Sequence, residues 1–250
     1  MTRRWHLAVL IAILLLAGGL RLAGLGRRGL SIDEGFSIAL ASLDPGRIVA
    51  GTAADQHPPL YYLLLHSWID LVGHSLPATR ALSALLGWLT VPLVYLAGRR
   101  LAPSVGLLAA GLLAVSPAHI WYSQDTRMYA LLVFLGTLST WLAWRWWTDG
   151  RFRSWGGSLL YVIVTLAVLY THSFGLFLVA AQNVAGLALE WRRRAQSEGR
   201  RQQIGGWLLM QLALALGFLP WLPVMIDQML HHRLDWIGPL SWSQLRHTWL

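Results

Sequence analysis

Leu60-Tyr61-Tyr62-Leu63-Leu64-Leu65-His66-Ser67-Trp68-Ile69-Asp70-Leu71-Val72 decides how this chain is threaded. The run is apolar, yet at about 13 residues it is short for a ~30 Å hydrocarbon layer, which takes about 20. Its Tyr, His, Trp and Asp residues suit a helix lying in a membrane interface. Charge chooses between the readings. If the run crossed, every later basic cluster would face outward. If it lies flat, Arg99-Arg100, Arg145, Arg151 and Arg153, Arg192-Arg193-Arg194 and Arg200-Arg201 all fall inside, as the positive-inside rule prefers. Arg27-Arg28 is the exception under either reading.

Composition supports a membrane setting. Hydrophobic residues make up 56% and charged residues 12%, and the mean hydropathy is +0.50, far from a soluble domain. The 15 Trp fit extensive membrane–water interface. A net charge of +9 could suggest nucleic acid, but the basic residues sit in short clusters between apolar runs and no nucleic-acid module accompanies them. Zero Cys excludes disulfides, thiolate metal sites and a Cys nucleophile.

Working outward from the deciding run, Trp5–Gly26 reads as an uncleaved first span with its N-terminus inside, because no A-x-A-like site precedes Arg27. The other expected spans are Ala78–Gly98, Val105–Trp121, Tyr129–Trp147, Gly157–Thr171, Phe174–Trp191 and Gly206–Ile226, seven in all. Trp155 to Trp191 is too long for one crossing and must fold back near Thr171-His172-Ser173. Three external segments result: Arg27–Arg80, Ser116–Arg127 and the tail after Ile226. The expectation is an all-α polytopic membrane protein forming a single transmembrane domain over 1–250, with 27–80 as an external loop. The tail ends without a stop signal for this architecture, so a fragment is expected, with C-terminal helices missing.

Two short helices are expected in the first loop. Ser31-x-x-Glu34 is a capping-box pattern that would open a helix reaching about Ser42. Asp44-Pro45 supplies an N-cap and a first-turn proline for a second, to about Ala53. The first of these carries two adjacent carboxylates, Asp33 and Glu34, where charge is scarce. The second external segment places Asp125, Arg127 and Tyr129 at a helix mouth between aromatics. Interfacial anchoring and a solvated ion pair would also account for that pattern.

The acidic pair after the first helix, then HPPLYY, RALSALLGWLTVPLVYLAGRRL and SPAHIWYSQDTRMYALL, in that order, resemble glycosyltransferase family 39. That group includes protein O-mannosyltransferases and the aminoarabinose transferase of lipid A, which use polyprenyl-phosphate-linked sugars. The likeness runs from about Arg3 to Arg153. It implies a GT-C-type bundle with its site on the non-cytoplasmic side under the first loop. It also implies Asp33 as catalytic base with Glu34 beside it, Asp125 and Arg127 at the substrate with Arg127 on the donor phosphate, and His57 where the family often carries a phosphate-contacting Lys. The implied partners are a polyprenyl-phosphate sugar, a hydroxyl acceptor on protein, lipid or glycan, and membrane lipid, with no nucleic acid. The expected location is a bacterial plasma membrane, site outward.

The chemistry agrees with that implication. Transfer from a lipid phosphate to a hydroxyl needs a base for the acceptor proton. The leaving phosphate needs no general acid, but it does need a cation, which an arginine fork offers. One base and one displacement predict inversion, while Glu34 and Asp125 leave a double displacement formally open. Capping offers Glu34 a purely structural role. Asp33 has no such role, and the first turn of a helix favours a negative charge there.

Other polar residues carry weaker signals. His172 reads as a polar turn residue or a substrate contact. His66 and Asp70, four apart on one helix, have a metal-compatible spacing but no third ligand, so no cofactor is called for. Arg80 and Arg21 read as snorkelling to the interface, with a place beside Arg127 at the phosphate as the other reading of Arg80, and Tyr61 and Tyr62 read as packing there or as an aromatic wall for a sugar. A non-enzymatic lipid-sugar transporter is the competing class. It would need a polar path through the bundle, whereas the polar residues gather at one face.

Overall fold

The computed structural model describes residues 3–192 and 198–231, and every regular element in them is helical. Arg193, Arg194 and the tail from residue 232 lie outside the described residues. The helices are α1 (Arg3–Leu22), α2 (Ile32–Ala41), α3 (Pro45–Ala54), α4 (Leu60–Val72), α5 (Leu76–Gly98), α6 (Pro103–Ala114), α7 (Pro117–Ser123), α8 (Tyr129–Thr148), α9 (Trp155–Leu169), α10 (Gly175–Arg192), α11 (Glu198–Phe218) and α12 (Leu222–His231).

The short loop helices begin where local chemistry dictates. The Glu34 N–H donates to Ser31 Oγ at 3.2 Å, and the Ser31 N–H donates back to Glu34 Oε2 at 3.2 Å, completing the capping box of α2. The Arg47 N–H donates to Asp44 Oδ1 at 3.1 Å with Pro45 opening α3. α4 covers the run that decides the threading, and it packs Tyr61, Tyr62, Leu65 and Ile69 inward against α2, α3 and α5.

α5 is the central post, in contact with α1, α4, α6, α7 and α8. Its return into α6 brings two backbones together: a Cβ added to Gly106 would lie 2.7 Å from the Tyr95 carbonyl oxygen and 2.8 Å from the Arg99 nitrogen. Close approach of this kind requires a residue with no side chain. A second group of helices, α8 to α11, packs around Trp146, Trp147, Tyr161 and Trp207. At its middle lies a polar layer. Gln182 donates to Ser139 Oγ at 2.9 Å and accepts from the Tyr161 hydroxyl at 2.9 Å. Asn183 donates to Gln211 Oε1 at 3.0 Å and accepts from Trp207 Nε1 at 2.7 Å.

By length and composition, α1 and α5 can each cross a membrane, and up to four crossings result if each of two bent pairs is one span. The bent pairs are α6 with α7, at 62°, and α11 with α12, at 66°. Two of the expected spans, Val105–Trp121 and Gly206–Ile226, fall on these bent pairs. Pro117 lacks the N–H that would continue α6, and Ser116 restarts the chain as the N-cap of α7.

The α6–α7 bend also explains Arg21, which does not snorkel. Arg21 is fully buried, with Nη1 donating to the carbonyls of Ala17 (3.0 Å) and Ala114 (3.1 Å). Its Nη2 donates to the Leu113 carbonyl at 3.1 Å and lies 2.8 Å from His119 Nδ1. The guanidinium thus satisfies the orphan carbonyls at the C-terminus of α6, where the helix dipole favours a cation.

Candidate active site

The site is built where the first loop meets the start of α8 and the turn between α9 and α10. Glu34 and Arg80 form its foundation. Arg80 donates from Nε to Glu34 Oε1 and from Nη2 to Oε2, both at 2.7 Å, with both side chains almost wholly buried. The remaining Arg80 protons go to the carbonyls of Leu25 (2.6 Å), Arg28 (3.0 Å) and Gly29 (2.9 Å). Arg80 is therefore a fork that ties the end of α1 to the loop, and does not reach an interface.

The Thr126 N–H donates to Glu34 Oε1 at 3.0 Å, so one carboxylate links both external segments. Burial raises the Glu34 pKa, but Arg80 and the amides of Thr126 and Ser31 outweigh it and hold the carboxyl down to about 2. Asp125 responds in the opposite sense. Burial, followed by the charge of Glu34 and a hydrogen bond to it, pushes Asp125 up to about 6. The two acids thus have distinct states: Glu34 stays charged in the frame, and Asp125 holds a proton more readily than an ordinary carboxyl.

Arg28, the exception to the charge pattern, belongs to the same frame. Its Nη2 donates to the Gln124 carbonyl at 2.6 Å, and its guanidinium lies 4.1 Å from the centre of the Trp121 ring.

Arg127 is differently placed. It is buried, and its Nη1 has only long contacts, 3.5 Å to the Asp33 carbonyl oxygen and 3.4 Å to Ser37 Oγ. Its Nε has no hydrogen-bond partner. Burial works against the charge, but the oxygens of Tyr62, Asp33 and Tyr129 outweigh it and raise the Arg127 pKa. A buried guanidinium with spare donors is a ready receptor for an anion. Asp33, one turn of α2 away from Ser37, is exposed beside it.

The far wall comes from distant sequence. The Leu60 N–H donates to the Tyr170 carbonyl at 3.0 Å, joining the start of α4 to the α9–α10 turn. This places the His57 and His172 rings edge to face, 5.4 Å between centres, and His172 lies 6.3 Å from the Tyr129 ring. His57 Nδ1 sits 3.3 Å from Asp55 Oδ2. Burial, then His57 and Arg127, lower the His172 pKa to about 4, so its ring is neutral at pH 7. The α9–α10 turn was legible from sequence, but its meeting with His57 was not.

A family model described as dolichyl-phosphate-mannose-protein mannosyltransferase matches residues 56–223, about two thirds of the chain. The chain belongs to this family. No curated protein and no solved structure matches the chain. Membership in the mannosyltransferase family makes the chain a membrane glycosyltransferase of the GT-C type, for which a polyprenyl-phosphate-linked sugar donor and an acceptor are implied. The family match takes in His57, Asp125, Arg127, Tyr129 and His172, and begins after Asp33 and Glu34. Those two acids join the matched region through the Thr126 amide, Arg80 and Arg127.

His66 Nδ1 is taken by the Ala41 carbonyl at 2.8 Å at the end of α2, with Asp70 3.6 Å from its Nε2. Among the described residues no group of three or more His, Asp or Glu side chains is disposed to hold a metal ion.

Proposed function

We propose that the chain transfers a sugar from a polyprenyl-phosphate donor to a hydroxyl acceptor with inversion, on the non-cytoplasmic face of a bacterial plasma membrane. The acceptor O–H gives its proton to the Asp33 carboxylate as its oxygen bonds to the anomeric carbon. The bond from that carbon to the phosphate oxygen breaks, and the polyprenyl phosphate leaves as an anion held by Arg127. Tyr129, His57 and Asp125 line the cavity around the reacting groups. Glu34 keeps to the frame, since its carboxylate is filled by Arg80 and two amides.

The observation that carries this reading is Arg127: a buried guanidinium with an unpaired Nε, next to the one first-turn acid of α2 left exposed. The outward placement draws support from charge. Arg99 and Arg100 follow α5, Arg145 lies in the last turn of α8, and Arg192 ends α10, all at the helix ends remote from Asp33. The test is transfer from labelled undecaprenyl-phosphate mannose by purified protein. Asp33→Asn is expected to lose roughly 10²–10⁴-fold in transfer rate while binding the donor normally. Near-normal transfer by that variant would remove Asp33 from the role.

A further inference from the structure

The His57 and His172 rings meet edge to face, 5.4 Å between centres, and each ring has one nitrogen committed. The Asp55 carboxylate can only accept, so His57 Nδ1 carries the proton of that 3.3 Å contact. The Phe174 N–H can only donate, and it reaches His172 Nδ1 at 3.1 Å, so that nitrogen is the acceptor. In their neutral forms the two imidazoles are thereby held in opposite tautomers. His57 turns a lone pair outward on Nε2, and His172 turns an N–H outward on Nε2. Neither Nε2 has a hydrogen-bond partner among the described residues, and neither is sealed off.

We infer that this pair reads a hydroxyl of the donor's sugar; the inference rests on the glycosyltransferase reading above. A hydroxyl both donates and accepts, so it matches a lone pair and an N–H side by side. An ionised phosphate only accepts, and the His57 lone pair would face it unfavourably. The division of labour is then spatial. Arg127 takes the phosphate, and the two imidazoles take the sugar, with the Tyr129 ring centre 6.3 Å from that of His172. This gives position 57 a different task from the phosphate contact that the resemblance implied. His172 becomes a specificity-determining residue. The Leu60–Tyr170 backbone bond fixes the spacing of the pair, because it lies three residues from one histidine and two from the other.

The experiment measures equilibrium binding of two probes to the full chain in detergent, without acceptor: undecaprenyl-phosphate mannose and sugar-free undecaprenyl phosphate. The wild type is expected to prefer the mannosyl probe. His172→Phe keeps the ring contacts and removes the N–H; His57→Lys replaces the lone pair by a cation. Each is expected to cut that preference by about tenfold, with the affinity for undecaprenyl phosphate unchanged or, for His57→Lys, improved. His172→Gln, which restores an N–H, should recover most of the preference, and it serves equally if His172→Phe fails to fold. Equal losses for both probes would overturn the inference and make the pair a phosphate site. So would an unchanged preference in both variants. A wild type that binds neither probe would instead bring down the glycosyltransferase reading itself.

Discussion

Arg80 holds Glu34 through two parallel 2.7 Å hydrogen bonds, across 46 residues of sequence, with neither side chain open to solvent. A buried pair of this kind is costly to form and more costly to break, since removing one partner strands the other charge. Glu34→Ala is expected to lower unfolding stability by about 3–5 kcal/mol. Asp33→Ala, one residue away but exposed, should stay within about 0.5 kcal/mol. Thermal unfolding of both variants in one detergent makes the comparison. Similar losses for the two would show that the pair is not what holds the loop.

Asp125 gives stability a pH dependence of defined sign. Its folded pKa of about 6 lies above the ordinary carboxyl value of 3.8, so its contribution is complete below pH 3.8 and is lost as pH rises through 6. Glu34 acts oppositely. Its contribution is present above pH 4.5 and is lost as pH falls toward 2. Asp125→Asn should therefore be more stable than wild type at pH 8, by about 1 kcal/mol once solvent screening of this half-buried group is counted. The advantage should vanish at pH 4. Melting curves across that range test the sign, and an advantage confined to low pH would contradict it.

Arg127→Lys retains the charge and loses the fork. If the guanidinium receives the donor phosphate, the affinity for undecaprenyl phosphate should fall about tenfold or more, because an ammonium cannot offer two parallel N–H groups. Folding should change modestly: the Nη1 contacts are long, and the hydrogen bond with the Tyr129 side chain is the contact at stake. Isothermal titration with the sugar-free lipid measures this directly. An unchanged affinity would place the phosphate elsewhere.

Gln182 tests the polar layer of the second helix group. Gln182→Leu removes the partner of Tyr161 and one partner of Ser139, while Thr165 still bonds Ser139 at 2.8 Å and Gln211 lies 3.4 Å from the Tyr161 hydroxyl. With those alternatives in place the cost should be about 1 kcal/mol, typical of hydrogen bonds between membrane helices. Reversible unfolding in mixed micelles measures it. A loss several times larger would mean that the layer acts as one cooperative unit.

Sequence disclosed what is local. The capping box at Ser31, the Asp44-Pro45 start and the bounds of α4 all depend on residues within one or two turns, and the structure has each of them. It was less informative where distant residues decide. Arg21 and Arg80 look like arginines near helix ends, and snorkelling is the economical reading of such positions. Only the bend at Ser116-Pro117 and the loop carbonyls at Leu25, Arg28 and Gly29 give them buried acceptors. The polar layer went unread because Ser139, Tyr161, Gln182 and Trp207 lie in four different apolar runs, and only packing brings them together. Arg127 was legible as an external arginine, but its unpaired Nε depends on packing against Tyr62 and α2.

The Glu34 carboxylate also orders events in time. As the chain is synthesised from its N-terminus, Glu34 appears well before Arg80, and the Thr126 amide later still. Until α5 is in place the first loop carries an unmatched negative charge, which keeps it in water. Arrival of Arg80 allows the acid to be buried, and arrival of Thr126 then clamps the second loop onto the first. The frame around Arg127 is therefore complete only after the second external segment has been made.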